Sequence, residues 1–170
     1  MIIAAFSGVG KTTLAKLYPQ KVTDFVCMPY KNYLDDEAEN NEKGKANPDN
    51  ILRLEWPLNY VNAIVENDDK NRILLIPSDC YVLLSLQCLK IPYTLCYPQR
   101  KAKKVYHKRF IKRGNTKDFI DIFIGGWDKF MDGLENDSYG RHVVLKLNQF
   151  LSDVIDVEAE NKNKERKYAQ

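Results

Sequence analysis

The stretch Ala4-Ala5-Phe6-Ser7-Gly8-Val9-Gly10-Lys11-Thr12-Thr13-Leu14-Ala15-Lys16 follows directly on the apolar start Met1-Ile2-Ile3. A short apolar run, two glycines at a bend and then helix-forming composition read as strand, tight loop and helix. That order builds a phosphate site. Glycine lets backbone N–H groups turn inward toward an anion, and the helix N-terminus adds the positive end of its dipole, so the loop attracts a polyphosphate before any side chain contributes. Lys11 then supplies a mobile full charge for the β/γ-phosphates, and the Thr12 hydroxyl is placed to ligate Mg²⁺. Residues 5–12 match G-x-x-x-x-G-K-[ST] with Ala5 in place of the first glycine, where a small residue suffices. Gly8, Val9, Gly10, Lys11, Thr12 and Thr13 are therefore the expected phosphate-binding residues.

Around this loop, the composition bounds the fold. A chain of 170 residues with 44% hydrophobic content buries one core, which predicts a single domain over residues 1–160 and a polar tail over 161–170. A net charge of +3 selects no class of partner. No apolar run approaches the roughly 18 residues of a membrane span, and Met1 to Phe6 is too short for a secretory signal, so a soluble, cytoplasmic protein without a membrane partner is expected. Cys27, Cys80, Cys88 and Cys96 form no C-x-x-C pair and the two histidines stand apart, which predicts reduced core thiols without a metal or redox role.

Further apolar runs alternate with helical patterns. Residues 21–28 and 71–79 read as the second and third strands, the latter with Ile73-Leu74-Leu75-Ile76 buried on both faces of a parallel sheet. Residues 91–98 and 141–148 supply a fourth and a fifth. Pro57 suits the first turn of a helix using Val61, Ile64 and Val65, and a leucine-rich, buried helix starts at Asp79. From Lys117 the stripe Phe119, Phe123, Trp127, Phe130, Met131, Leu134 predicts helix, split at Gly125-Gly126. Asn148 is the expected cap of a last helix with Phe150, Leu151, Val154 and Ile155 inward. Strands alternating with helices imply a mostly parallel, five-stranded sheet whose carboxyl-end loops converge on one crevice.

Two polar segments flank that crevice. The first, about residues 29–60, carries the acids Asp35, Asp36, Glu37, Glu39, Glu42 and Asp49, read as solvated loop. At its borders Asp24, Tyr30, Lys31, Tyr33, Arg53 and Tyr60 combine aromatic faces with charge, as a ligand with a base and a phosphate requires. The second, residues 100–117, holds nine Lys/Arg and no acid. Such repulsion points to an anion, either nucleotide phosphates or a nucleic-acid backbone. Arg109 and Arg113, four apart, share a helical face and can act together; Arg100 follows the fourth strand.

Taken together, "AFSGVGKTTLAK", "VTDFVCMPYK", "EWPLNYVNAIVE", and "IPYTLCYPQ" followed by "YHKRFIKRGN" resemble small phage-type nucleoside and nucleotide kinases of the P-loop class, relatives of adenylate and deoxynucleoside monophosphate kinases. The resemblance spans about residues 1–147. It implies a three-layer, adenylate-kinase-like fold, an acceptor-binding insert after the second strand and a basic lid over about 99–117. Gly8, Gly10, Lys11, Thr12 and Thr13 would hold the donor phosphates, with Lys11, Arg109 and Arg113 as catalytic residues. Asp24, Tyr30, Lys31, Arg53 and Tyr60 are expected at the acceptor. Thr12 and Asp79 are expected at Mg²⁺, although either Asp24 or Asp79 could serve metal or acceptor, since "IPSD" replaces the acidic segment usual after the third strand. The expected function is ATP-dependent phosphoryl transfer to a small acceptor, foremost a (deoxy)nucleoside monophosphate, in a bacterial host if phage-encoded. The alternatives are a nucleotide-regulated NTPase or binding module gripping nucleic acid through residues 100–117, or a kinase of a nucleic-acid end or another metabolite.

Overall fold

The computed structural model describes residues 1–33, 52–68 and 72–159. The acidic run 35–49 and the tail 161–170 lie outside the described residues. Five strands, β1 (Ile2–Ala5), β2 (Val22–Asp24), β3 (Ile73–Pro77), β4 (Tyr93–Pro98) and β5 (Arg141–Leu145), form one parallel sheet in the order β2-β3-β1-β4-β5. The three inner strands are buried almost throughout, as continuous apolar runs covered on both faces must be. The edges differ: β2 has three residues, and β5 leaves Arg141 and Val144 exposed.

Helices α1 (Lys11–Leu17), α2 (Met28–Lys31), α3 (Leu58–Asn67), α4 (Cys80–Cys88), α5 (Lys103–Lys112), α6 (Lys117–Ile120) and α7 (Trp127–Glu135) fill the crossovers. From β1 the chain moves outward to β2 and thereafter returns in the opposite direction through β3, β4 and β5. Right-handed crossovers therefore place α1 on one face and α2 to α7 on the other. The packing agrees, with α1 against the short 3₁₀ turn Leu151–Asp153 and α3 against α4. The result is a three-layer α/β fold in which β1, β2, β3 and β4 all end at the same edge of the sheet.

Several local expectations change for physical reasons. The second strand stops at Asp24, and Pro29 in the first turn of α2, which has no N–H to donate to a ladder, favours helix there. On α3 the inward residues are Tyr60, Val61, Ala63 and Ile64, whereas Val65 is exposed. Asp79 caps α4 by accepting from the Tyr81 N–H at 3.0 Å, yet Leu84 faces out and Cys80 and Cys88 are exposed; Cys27 is half-buried and Cys96 alone is fully buried. Between α6 and α7 the chain runs as a π-turn, Asp121–Gly125, and Gly126 starts α7, so the glycine pair does mark the division. In place of a last helix over 150–155 there is only the 3₁₀ turn, closed by the Phe150 N–H donating to Asp153 at 2.7 Å.

At the opposite end of β4 from the glycine loop, Asp137 closes the return into β5. One carboxylate oxygen accepts from the Tyr139 and Gly140 N–H groups at 2.9 and 2.8 Å; the other accepts from the Tyr93 hydroxyl at 2.6 Å and from Gln87 at 3.0 Å. The Tyr93 ring lies so close to Gly140 that an added Cβ would stand 2.6 Å from it. Partial burial alone would raise the Asp137 pKa, but these donors, led by Gly140 and Tyr93, outweigh it and hold the carboxyl below its usual range. A folded-state pKa below the unfolded one adds stability at neutral pH that disappears as pH falls through the carboxylate range. We expect the urea midpoint to drop between about pH 5 and pH 3, and this drop to be smaller in Asp137→Asn, measured by far-UV circular dichroism.

Candidate phosphate-binding site

The loop between β1 and α1 turns because Gly8 and Gly10 take φ of 80° and 98°, the left-handed region that side chains resist. Among the described residues, none of the backbone N–H groups from Gly8 to Thr13 donates to a protein carbonyl; the first to do so is Leu14, to Gly10 at 3.0 Å. A run of unengaged amides at a helix start is an anion cradle. The loop is braced from behind: Val9 is fully buried, and its carbonyl accepts from the Leu151 N–H at 2.9 Å.

Lys11 lies within this cradle, its Nζ donating to the Ala5 and Phe6 carbonyls at 2.8 and 3.2 Å. Burial pushes its pKa down to about 8; the Arg113 charge adds to the fall, while Asp24 and Cys27 oppose it. Thr12 Oγ1 donates to Asp24 Oδ2 at 2.6 Å. The acid that meets the loop hydroxyl is thus Asp24, at the end of β2. Asp79, expected beside Thr12, instead accepts from Lys31 Nζ at 2.8 Å and caps α4. A hydroxyl and a carboxylate in contact form an oxygen donor pair, the chemistry that suits Mg²⁺, which takes few protein ligands and keeps several waters.

Helix α5 lies on the loop. Tyr106 and Phe110 are fully buried, and a Cβ at Gly8 would stand 2.7 Å from the Phe110 ring and 3.5 Å from Tyr106. Phe6, inside the glycine motif, packs edge-on against Tyr106, Phe123, Trp127 and Phe130 at centroid distances of 5.5 to 6.1 Å. The buried Tyr106 hydroxyl has no hydrogen-bond partner among the described residues. The two arginines of the basic segment diverge. Arg109 lies over the Tyr106 and Phe150 rings at 4.7 and 4.0 Å and donates to the Leu147 and Gln149 carbonyls, so it faces the loop after β5. Arg113 is exposed and is the one whose charge is felt at Lys11. Arg100 is held away by Asp132 and Glu135 at 2.7 and 2.6 Å.

On the other side of the crevice, the insert after β2 has a closed neck. Asn32 bridges Leu52, and the Arg53 N–H donates to the Lys31 carbonyl at 2.9 Å. Lys31 stands over Trp56 at 5.1 Å and Arg53 over Tyr33 at 4.6 Å, so each cation has an aromatic face beside it. Tyr60 does not join them. It is fully buried between Phe25 and Trp56, and its hydroxyl donates to the Phe25 carbonyl at 2.5 Å, which makes it the floor on which the half-buried Tyr30 rests. The sequence reading placed neither Phe150 nor Tyr106 at the glycine loop. Phe150 touches the position a Gly10 Cβ would take at 3.4 Å, and no local pattern marks that contact across 140 residues.

No protein-family model matches this sequence, and no curated protein sequence matches it. Among solved structures the fold is similar to that of a gluconokinase from Sinorhizobium meliloti 1021, with a TM-score of 0.50 and 14% identity over 99% of this chain and 95% of that one. At this identity the likeness is one of fold, a three-layer α/β arrangement around a parallel sheet.

The Gly8 contact gives a direct test. Gly8→Ala forces a Cβ into Phe110 at a positive φ, and should cost about 2 kcal/mol of unfolding free energy. In a Phe110→Leu background the added cost should shrink by about 1 kcal/mol in a double-mutant cycle read by urea denaturation.

Proposed function

We propose that this protein transfers the γ-phosphoryl group of ATP to a small anionic acceptor, foremost a (deoxy)nucleoside monophosphate. The observation that carries the reading is the cradle: unengaged amides from Gly8 to Thr13, with Lys11 inside it and the Thr12–Asp24 pair at its rim. The amides and Lys11 bind the donor phosphates, Thr12 and Asp24 would hold Mg²⁺, and Arg113, whose charge is felt at Lys11, meets charge on the moving group. When bound, Mg²⁺ neutralises phosphate oxygens and orients them. Lys11 exchanges its two carbonyl partners for phosphate oxygens, a change favoured because the anion restores the charge that burial disfavours. Arg109 is taken up by the Tyr106 and Phe150 rings and by the Leu147 and Gln149 carbonyls, and has no part in this reading as the structure stands.

The acceptor reading rests on Lys31 and Arg53, each beside an aromatic face, with Asp79 orienting Lys31 through their 2.8 Å ion pair. A cation and a ring at one mouth suit a ligand with a phosphate and a base. One solved structure with a similar fold is a gluconokinase, which supports a kinase of a small metabolite and leaves this acceptor to the Lys31 and Arg53 chemistry. In this reading catalysis is mainly positioning, since an acceptor phosphate is already nucleophilic and requires no strong general base.

Mg·ATP offered with a panel of ribo- and deoxyribonucleoside monophosphates, read as ADP formed, should give turnover with at least one; ADP formation with none of them would sink the proposal. Lys11→Ala should lower kcat/KM by roughly three powers of ten or more with the far-UV spectrum unchanged. Because Lys11 acts as a cation with a free-enzyme pKa of about 8, kcat/KM for ATP should decline as pH rises through about 8. A profile flat to pH 10 would remove Lys11 from that role.

A further inference from the structure

The nine cations between Arg100 and Lys117 are sorted by the structure into two kinds. Arg100 and Lys103 face α7 and pair with Asp128, Asp132 and Glu135; Lys117 pairs with Asp121; Arg109 is occupied by backbone carbonyls. Arg113, Lys101, Lys104, Lys108 and Lys112 are all exposed and form no ion pair with any described acid, and the four lysines stand together. Their spacing of three, four and four residues sets them in a row along one side of α5 and the short turn before it. Tyr106 and Phe110, buried toward the glycine loop, fall on the opposite side of the helix. The row therefore points away from any nucleotide in the loop and does not serve it.

Like charges four apart on a helix repel one another, and nothing described here offsets them. The row extends over roughly 16 Å at about 1.5 Å per residue, a length along which one nucleic-acid strand presents roughly four or five phosphates. We infer that Lys101, Lys104, Lys108 and Lys112 form a docking face for the phosphate backbone of a nucleic-acid strand, separate from the glycine loop and indifferent to base sequence. A basic helix that lies on a membrane needs its apolar side free to enter the lipid, whereas the apolar side of α5 is buried in the protein. The exposed residues beside the row, His107 and Ile111, offer a protein partner one aliphatic side chain and no aromatic or apolar cluster of the kind such an interface centres on. The same face would let the enzyme stay beside the polymer without the polymer entering the catalytic crevice.

Fluorescence anisotropy of the full chain with a labelled oligo-dT of about 20 nucleotides tests this. Binding at about 50 mM salt should weaken toward 200 mM, with a slope of log affinity on log salt of about −3, as four strand phosphates imply. Lys104→Gln/Lys108→Gln/Lys112→Gln should bind at least about tenfold more weakly at the low salt and flatten the slope to about −1. Lys11→Ala should bind as the wild type does, so the result does not depend on the proposed phosphoryl transfer. No anisotropy change at the low salt, or a triple variant that binds like the wild type, would overturn the inference. So would association with phosphatidylserine vesicles combined with none to the oligonucleotide.

Discussion

The glycine loop keeps its shape because Phe6 cannot move. Its ring is held edge-on by four others, from Tyr106 on α5 to Phe130 on α7, and each such pair adds about 0.5 to 1.5 kcal/mol beyond simple burial. The loop leaves this anchor at Ser7 and reaches Gly8, where Phe110 leaves no room for a side chain. Two constraints thus coincide at one residue: the backbone needs a positive φ to turn its amides, and the helix above excludes a Cβ. Neither the cradle nor the seating of α5 can change without the other.

Electrostatics then divides the site. Inside, the single ammonium of Lys11 is destabilised by burial and satisfied for the moment by two backbone carbonyls, which makes it a ready partner for an anion. At the rim, Asp24 meets Thr12, while Asp79 is committed to Lys31 and to the start of α4. The carboxylates that border the crevice are in this way assigned to different neighbours by the ends of two parallel strands, β2 and β3. The same sorting recurs on the basic segment, whose cations either meet α7, bond the loop after β5, or face solvent.

Sequence carried the frame well where periodicity and punctuation are local. The glycine motif, four of the five strands nearly to their ends, the start of a helix at Asp79 and the break at Gly125-Gly126 were all readable from neighbours within a turn or two. What was not readable depends on distance. Asp24 and Asp79 look alike as acids at strand ends, and only the position of Lys31, 48 residues from Asp79, separates their partners. Tyr60 resembled a ligand residue because an amphipathic aromatic on a helix can face either way; packing between Phe25 and Trp56 fixed it inward. Phe150 was assigned to a helix core on spacing alone, yet its contacts are with Gly10 and Arg109.

The brace behind the loop has a temporal side. β1 is made before both of its neighbours in the sheet, β3 and β4, and the N–H that holds the Val9 carbonyl belongs to Leu151. A nascent chain through β4 can assemble the central sheet while the turn at Gly8 still lacks its rear strut. The glycine turn therefore waits on a residue about 140 positions further along before its rear brace can form, and a chain interrupted between β4 and Leu151 would pair the central strands with the turn at Gly8 unbraced.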